Sequence, residues 1–183
     1  VYLTNWCFSI LTLHTVVAMA VSVMEYCRSD YTEFSETPQG GENVATNSLT
    51  WYHKAHWILH STSITMALLV TTLYWAFDKR ELVASSINEH ITNSVLAVLD
   101  LFVSGTPVRI VHMVYPVAFA MAYAAFYVIY WAAGGTGKSG EVVLYKLWDF
   151  ESDPKTAIAY MVLLVFVAIP FFHLLTYALH SLK

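Results

Sequence analysis

The chain has 183 residues, of which 57% are hydrophobic and 12% charged, with a formal net charge of −4 and a positive mean hydropathy. This is a membrane composition, and with no second polar region it leaves room for one domain of about five spans of ~20 apolar residues each. Nucleic-acid binding is excluded as a reading, since no basic cluster and no aromatic-basic interleaving is present.

The first apolar segment covers about residues 3–24, with Trp6 and Tyr26 near its ends as interfacial aromatics and Thr4, Asn5 and His14 among apolar neighbours. The chain opens at Val1 without Met, and this segment is too long for a signal-peptide core, so an upstream part is expected. Cys7 and Cys27 lie about 30 Å apart if the segment between them is helical, too far to pair.

A polar acidic loop is expected at about 25–51, around Pro38-Gln39-Gly40-Gly41. A second span covers about 57–77 and ends at Asp78-Lys79-Arg80-Glu81, which cannot stay in hydrocarbon.

The third segment, 82–104, carries the strongest pattern. At helical spacing Ser86, Glu89, His90, Asn93, Ala97, Asp100 and Ser104 form one stripe, and Ile87, Ile91, Val95, Val98 and Phe102 form the opposite one. In a membrane chain this amphipathic helix reads inside out: the Ile/Val face meets lipid and the polar stripe meets other helices or an enclosed cavity.

A turn at Gly105-Thr106-Pro107 leads to a fourth span at about 110–133. The run Ala132 to Ser139 fits a permissive phosphate-loop pattern, but that loop needs a short strand before it; here a transmembrane-length apolar run precedes it, and nucleotide binding is rejected. The mixed stretch at about 138–156 is expected to lie in the interface. A fifth span covers about 157–179, kinked at Pro170. If all five cross, Lys79, Arg80, Lys138, Lys146 and Lys155 face Arg28, Lys54, Arg109 and Lys183, a balance too even to orient the protein. The fold class is thus an all-α integral membrane protein, one transmembrane helical domain over 1–183.

Each ionisable residue at membrane depth is a site hypothesis. His90 and Asn93, one turn apart, serve either as polar glue between helices or, for His90, as a general base at the mouth of a cavity. Thr4 begins its helix on the same side of the membrane and is either a helix cap or a nucleophile for acyl transfer. Asn5, Asn93 or a backbone amide would then stabilise an oxyanion, with Glu89 and Asp100 completing the stripe. His53, His56 and His60 place three imidazoles near one helix face, a spacing that suits a metal as well as an interfacial run beside Trp51, Tyr52 and Trp57. His60, His112 and His173 fall toward the leaflet opposite Thr4, where two of them would be needed to clamp a haem. No attachment motif accompanies them, and no cofactor is expected.

Four phrases carry a family resemblance: Tyr2-Leu3-Thr4-Asn5-Trp6, Tyr74-Trp75-Ala76-Phe77-Asp78, His90-Ile91-Thr92-Asn93-Ser94-Val95 with Asp100, and His112-Met113-Val114-Tyr115-Pro116. Together they resemble the Rolling stone family, which is related to the androgen-induced membrane proteins that hydrolyse fatty acid esters of hydroxy fatty acids. The hydrolase branch uses an intramembrane threonine nucleophile and a histidine. Its Leu-Thr phrase matches Leu3-Thr4, and its histidine, ten residues before an acidic residue, matches His90 with Asp100. The chain departs from that branch at Ser86-Ile87-Asn88-Glu89, where the hydrolases have a denser histidine and glycine phrase.

The resemblance implies a helix ahead of Leu3-Thr4, hence six spans in the intact protein, and a setting in the plasma membrane or endoplasmic reticulum among membrane lipid. It also implies a lipid ester as substrate, with Thr4 and His90 catalytic. Because Rolling stone-like proteins are associated with myoblast fusion, a non-enzymatic role in cell adhesion or fusion follows from the same likeness.

Overall fold

Among the described residues, four stretches are long and apolar enough to cross a membrane: Leu3–Arg28, Trp51–Phe77, Ile110–Ala132 and Pro154–His180. The structure, a computed structural model, describes residues 2–35, 50–77, 87–137 and 140–183, and every regular element among them is helical. These are α1 (Leu3–Ser35), α2 (Trp51–Phe77), α3 (Asn93–Val103), α4 (Val114–Ala132), α5 (Pro154–Leu163) and α6 (Ile169–His180). A π-turn at Ile87–Thr92 enters α3, a 3-10 turn at Ile110–Met113 enters α4, and a π-turn at Leu164–Ala168 joins α5 to α6. The third expected span is shorter than the others, an apolar helix over His90–Val103, and the start of that expectation, 82–86, lies outside the described residues.

The helix that organises the bundle is α2, which α1, α3, α4 and α6 all touch. It is also the least apolar of the four long helices, with a best-window hydropathy of 1.2 against 2.5 for Pro154–His180. The two facts have one cause. A helix surrounded by protein need not satisfy lipid, and small residues let its neighbours approach closely. From His60 to Ala67 every residue of α2 is buried, including Ser61, Thr62, Ser63 and Thr65. Ser94 on α3 donates to the Ala67 carbonyl, and Thr71 donates to the His90 carbonyl at 2.7 Å, so hydroxyls join α2 to α3.

The two faces of α3 fall as its pattern predicts. His90, Asn93 and Ala97 are buried, and Ile91, Val95 and Phe102 are exposed on the side left for lipid. The polar loop expected from residue 25 begins later, because α1 continues to Ser35 with no Gly or Pro to stop it before Pro38. The Tyr52 hydroxyl donates to Glu25 at 3.2 Å, joining the extensions of α1 and α2. Pro170 offers no N–H to the preceding turn, and the backbone meets that loss with the π-turn just ahead of it. At the end of α4, Gly134 takes φ 75° and stops the helix, so a helix and not a strand leads into the glycine-rich run. Lys138 and Ser139 lie outside the described residues.

The stretch after α4, expected in the interface, packs onto the helices. Leu144, Trp148 and Phe150 are buried and join the same core cluster as Leu3, Cys7, Tyr123 and Tyr127. Tyr127 donates to the Trp148 carbonyl at 3.2 Å, and Tyr2 donates to Glu141 at 3.0 Å. Tyr145 supplies the cap that α1 lacks, its hydroxyl accepting the Leu3 N–H at 2.7 Å and the Tyr123 hydroxyl at 3.4 Å. Burial pushes the Tyr145 phenol up to about 12, so it remains protonated across the physiological range. Replacing Tyr145 with Phe strands the Leu3 N–H and is expected to lower stability by about 1–3 kcal/mol, read as an earlier unfolding transition in detergent.

Candidate functional site

Asp100 is the residue on which the intramembrane polar groups converge. One turn before the end of α3, its Oδ2 lies 2.9 Å from His14 Nε2 of α1 and 3.1 Å from His60 Nδ1 of α2. His14 and His60 are fully buried, while the Asp100 side chain is 32% exposed. His56 stacks on His14 with ring centroids 5.2 Å apart. One ring nitrogen from each of His14, His56 and His60 lies within 4.8 Å of the others.

His53 does not join this group. Seven residues before His60, it is about 10 Å away along the helix axis, too far for three nitrogens to share one ion. It pairs instead with Thr50 at 2.6 Å and with Glu25 at 3.5 Å. The third imidazole comes from His14, an ionisable residue in mid-span of α1. Its depth was the available signal, but no periodicity in α1 names the helix it meets.

The Thr4 end of the bundle is arranged differently. Thr4 is half-buried in the first turn of α1, and Asn5 is exposed beside an open groove of about 540 Å³ that Trp6, Ser9, Ile10, Leu13 and Phe119 also line. His90 is buried in the π-turn and stacks on Tyr74 with centroids 3.7 Å apart. Asn93 is 2% exposed, and both its amide oxygen and amide nitrogen lack hydrogen-bond partners among the described residues. The Glu89 side chain lies outside the described residues. No hydrogen bond among the described residues joins Thr4 to His90, and Asp100 serves His14 and His60 rather than His90.

His112 and His173 lie on the far side of α2. His112 Nδ1 is 3.3 Å from the Ser61 hydroxyl, and His173 bonds at both nitrogens, to Thr65 at 3.1 Å and to the Arg109 carbonyl at 3.0 Å. With its ring satisfied twice, His173 has no lone pair for an iron. A haem clamp that uses His173 therefore has no geometric support.

Long apolar helices with outward hydrocarbon faces and inward polar groups define a multipass integral membrane protein. A family model described as Protein rolling stone matches residues 1–183. The chain belongs to the Rolling stone family. Protein rolling stone of Drosophila melanogaster is 29% identical over 189 residues that take in all of this chain and 66% of the relative, so the chain spans just under two thirds of that protein's length. No solved structure matches.

The geometry separates the two polar residues of α3. Asp100→Leu removes the acceptor of two buried rings and is expected to destabilise by about 1–3 kcal/mol for each donor stranded, whereas Asn93→Leu removes only unpartnered atoms and is expected within about 1 kcal/mol of wild type. Thermal unfolding of both variants in one detergent checks the contrast.

Proposed function

We propose that this chain is an intramembrane hydrolase of lipid esters, with Thr4 as nucleophile and His90 as its base. The observation that carries the reading is Asn93, whose buried amide, one turn from His90, has no partner among the described residues. A donor held in a low-dielectric site and not yet engaged is what a developing oxyanion requires. Two further features support it. His90 sits in a π-turn, a backbone irregularity frequent at functional sites, and α1 packs against that turn. The groove along α1, open at the outer surface of the spans, suits an acyl chain arriving from the bilayer.

In this mechanism the Thr4 oxygen attacks the acyl carbon while His90 takes the hydroxyl proton, and the Asn93 amide donates to the carbonyl oxygen as it gains charge. Collapse of the tetrahedral intermediate breaks the ester C–O bond, and His90 returns the proton to the departing alcohol. Water then attacks the acyl-threonine, losing its proton to His90; the bond between the acyl carbon and the Thr4 oxygen breaks, His90 returns the proton to that oxygen, and the fatty acid leaves.

Labelling by a fluorophosphonate probe and turnover of a fatty acid ester, in the wild type beside Thr4→Ala, His90→Ala and Asn93→Leu, test the proposal. Labelling is expected to vanish in Thr4→Ala. Turnover is expected to fall at least a hundredfold in both Thr4→Ala and His90→Ala, and by ~10²–10³ in a folded Asn93→Leu. Full activity in any of the three removes that residue from the mechanism. A well-folded wild type with neither labelling nor turnover leaves the family's non-enzymatic role in adhesion or fusion as the better account.

A further inference from the structure

We propose that His14, His56 and His60 bind a divalent transition-metal ion of the zinc class, with Asp100 as the carboxylate that orients two of the three rings. An ionised carboxylate only accepts hydrogen bonds. Its contacts with His14 Nε2 and His60 Nδ1 therefore place a proton on each of those nitrogens and leave the lone pairs on His14 Nδ1 and His60 Nε2. Those two nitrogens, together with His56 Nε2, are buried without a hydrogen-bond partner among the described residues.

A buried histidine nitrogen left without a partner costs free energy that a second hydrogen bond would recover. His173 makes both bonds in this same bundle, through Thr65 and the Arg109 carbonyl. His14 and His60 each have one nitrogen bonded and the other aimed at nothing, the orientation that an outer carboxylate imposes on metal-binding imidazoles. Three neutral imidazoles favour zinc and its neighbours over magnesium or calcium, which take oxygen ligands. Tetrahedral zinc with bonds of about 2.0–2.1 Å sets its ligand nitrogens about 3.3 Å apart. One ring nitrogen from each of the three histidines lies within 4.8 Å of the others, so binding requires the rings to turn and draw their free nitrogens to that shorter spacing. Three protein ligands leave a fourth coordination position open.

The test uses the full chain, purified in detergent without a histidine tag, incubated with Zn²⁺ or Co²⁺ and freed of excess by gel filtration. About one equivalent per chain is expected by elemental analysis, and Co²⁺ is expected to give the visible absorption of a tetrahedral site. His14→Gln and His60→Gln, compared with wild type by circular dichroism and elution volume, are expected to lose both signals, and His53→Ala to retain them. Asp100→Asn is expected to weaken binding about 10–100-fold rather than abolish it. If the glutamine variants do not fold, His56→Gln on the half-buried ring carries the same comparison. Wild type that is folded yet takes up less than a tenth of an equivalent of either ion overturns the proposal. Binding that persists unchanged in the folded histidine variants overturns it equally. The outcome is independent of ester turnover.

Discussion

A single carboxylate oxygen accepting from two buried imidazoles on two other helices is the contact on which the register of this bundle depends. Asp100 lies in a segment set against hydrocarbon, where an unpaired charge costs several kcal/mol, and its partners come from α1 and α2. Sliding either helix by one residue moves a histidine by about 1.5 Å along the axis and by about 100° around it, which breaks the contact. Apolar packing in a bilayer tolerates many registers, since lipid tails and leucines attract each other about equally. The carboxylate paired with two buried rings does not. That is why a chain with so few charged residues keeps one at this depth.

The remaining architecture follows from the same inversion of solvent. The helix with the most serines and threonines in its middle is the most enclosed, and the most apolar long helix, Pro154–His180, is among the least. Close contact and hydroxyl donors hold α2 to its neighbours, while Leu96, Leu99, Phe166 and Phe171 are spent on the outside. At the Thr4 end a different device takes over. Tyr2, Tyr123, Tyr127, Tyr145, Trp148 and Phe150 form an aromatic plug that closes the bundle and fixes the first turn of α1.

Much of this was legible in the sequence where one face of a helix met lipid and the other met protein. The stripe on α3 was readable for that reason, and so were the long apolar segments. What sequence could not supply was azimuth between helices. His90 and Asp100 look like partners on one stripe, yet ten residues turn the helix by about 80° net of full turns, so His90 meets Tyr74 while Asp100 meets His14 and His60. His53 was misleading for the complementary reason, sharing a face with His60 but not a level. The plug was missed because Leu144, Trp148 and Phe150 follow no regular period, and their burial depends on the tyrosines that α4 presents to them.

The two polar clusters occupy different depths, and this constrains how they relate. His90 and Asp100 are ten residues apart on one helical path, and Thr4 and His14 are ten apart on another, so each pair spans about 15 Å along the bundle. A metal on His14, His56 and His60 is thus too far from Thr4 to polarise the same carbonyl or to lower the barrier at the same oxygen. Its influence at the Thr4 end passes through the pose of α1 and α3, which both clusters share. Removing the ion would then alter how firmly His90 and Asn93 are held relative to Thr4 without changing the chemistry there, whereas altering Thr4 or His90 leaves the contacts around Asp100 intact. On the mechanism proposed above, the contacts of Asp100 hold the frame within which Thr4 and His90 would act.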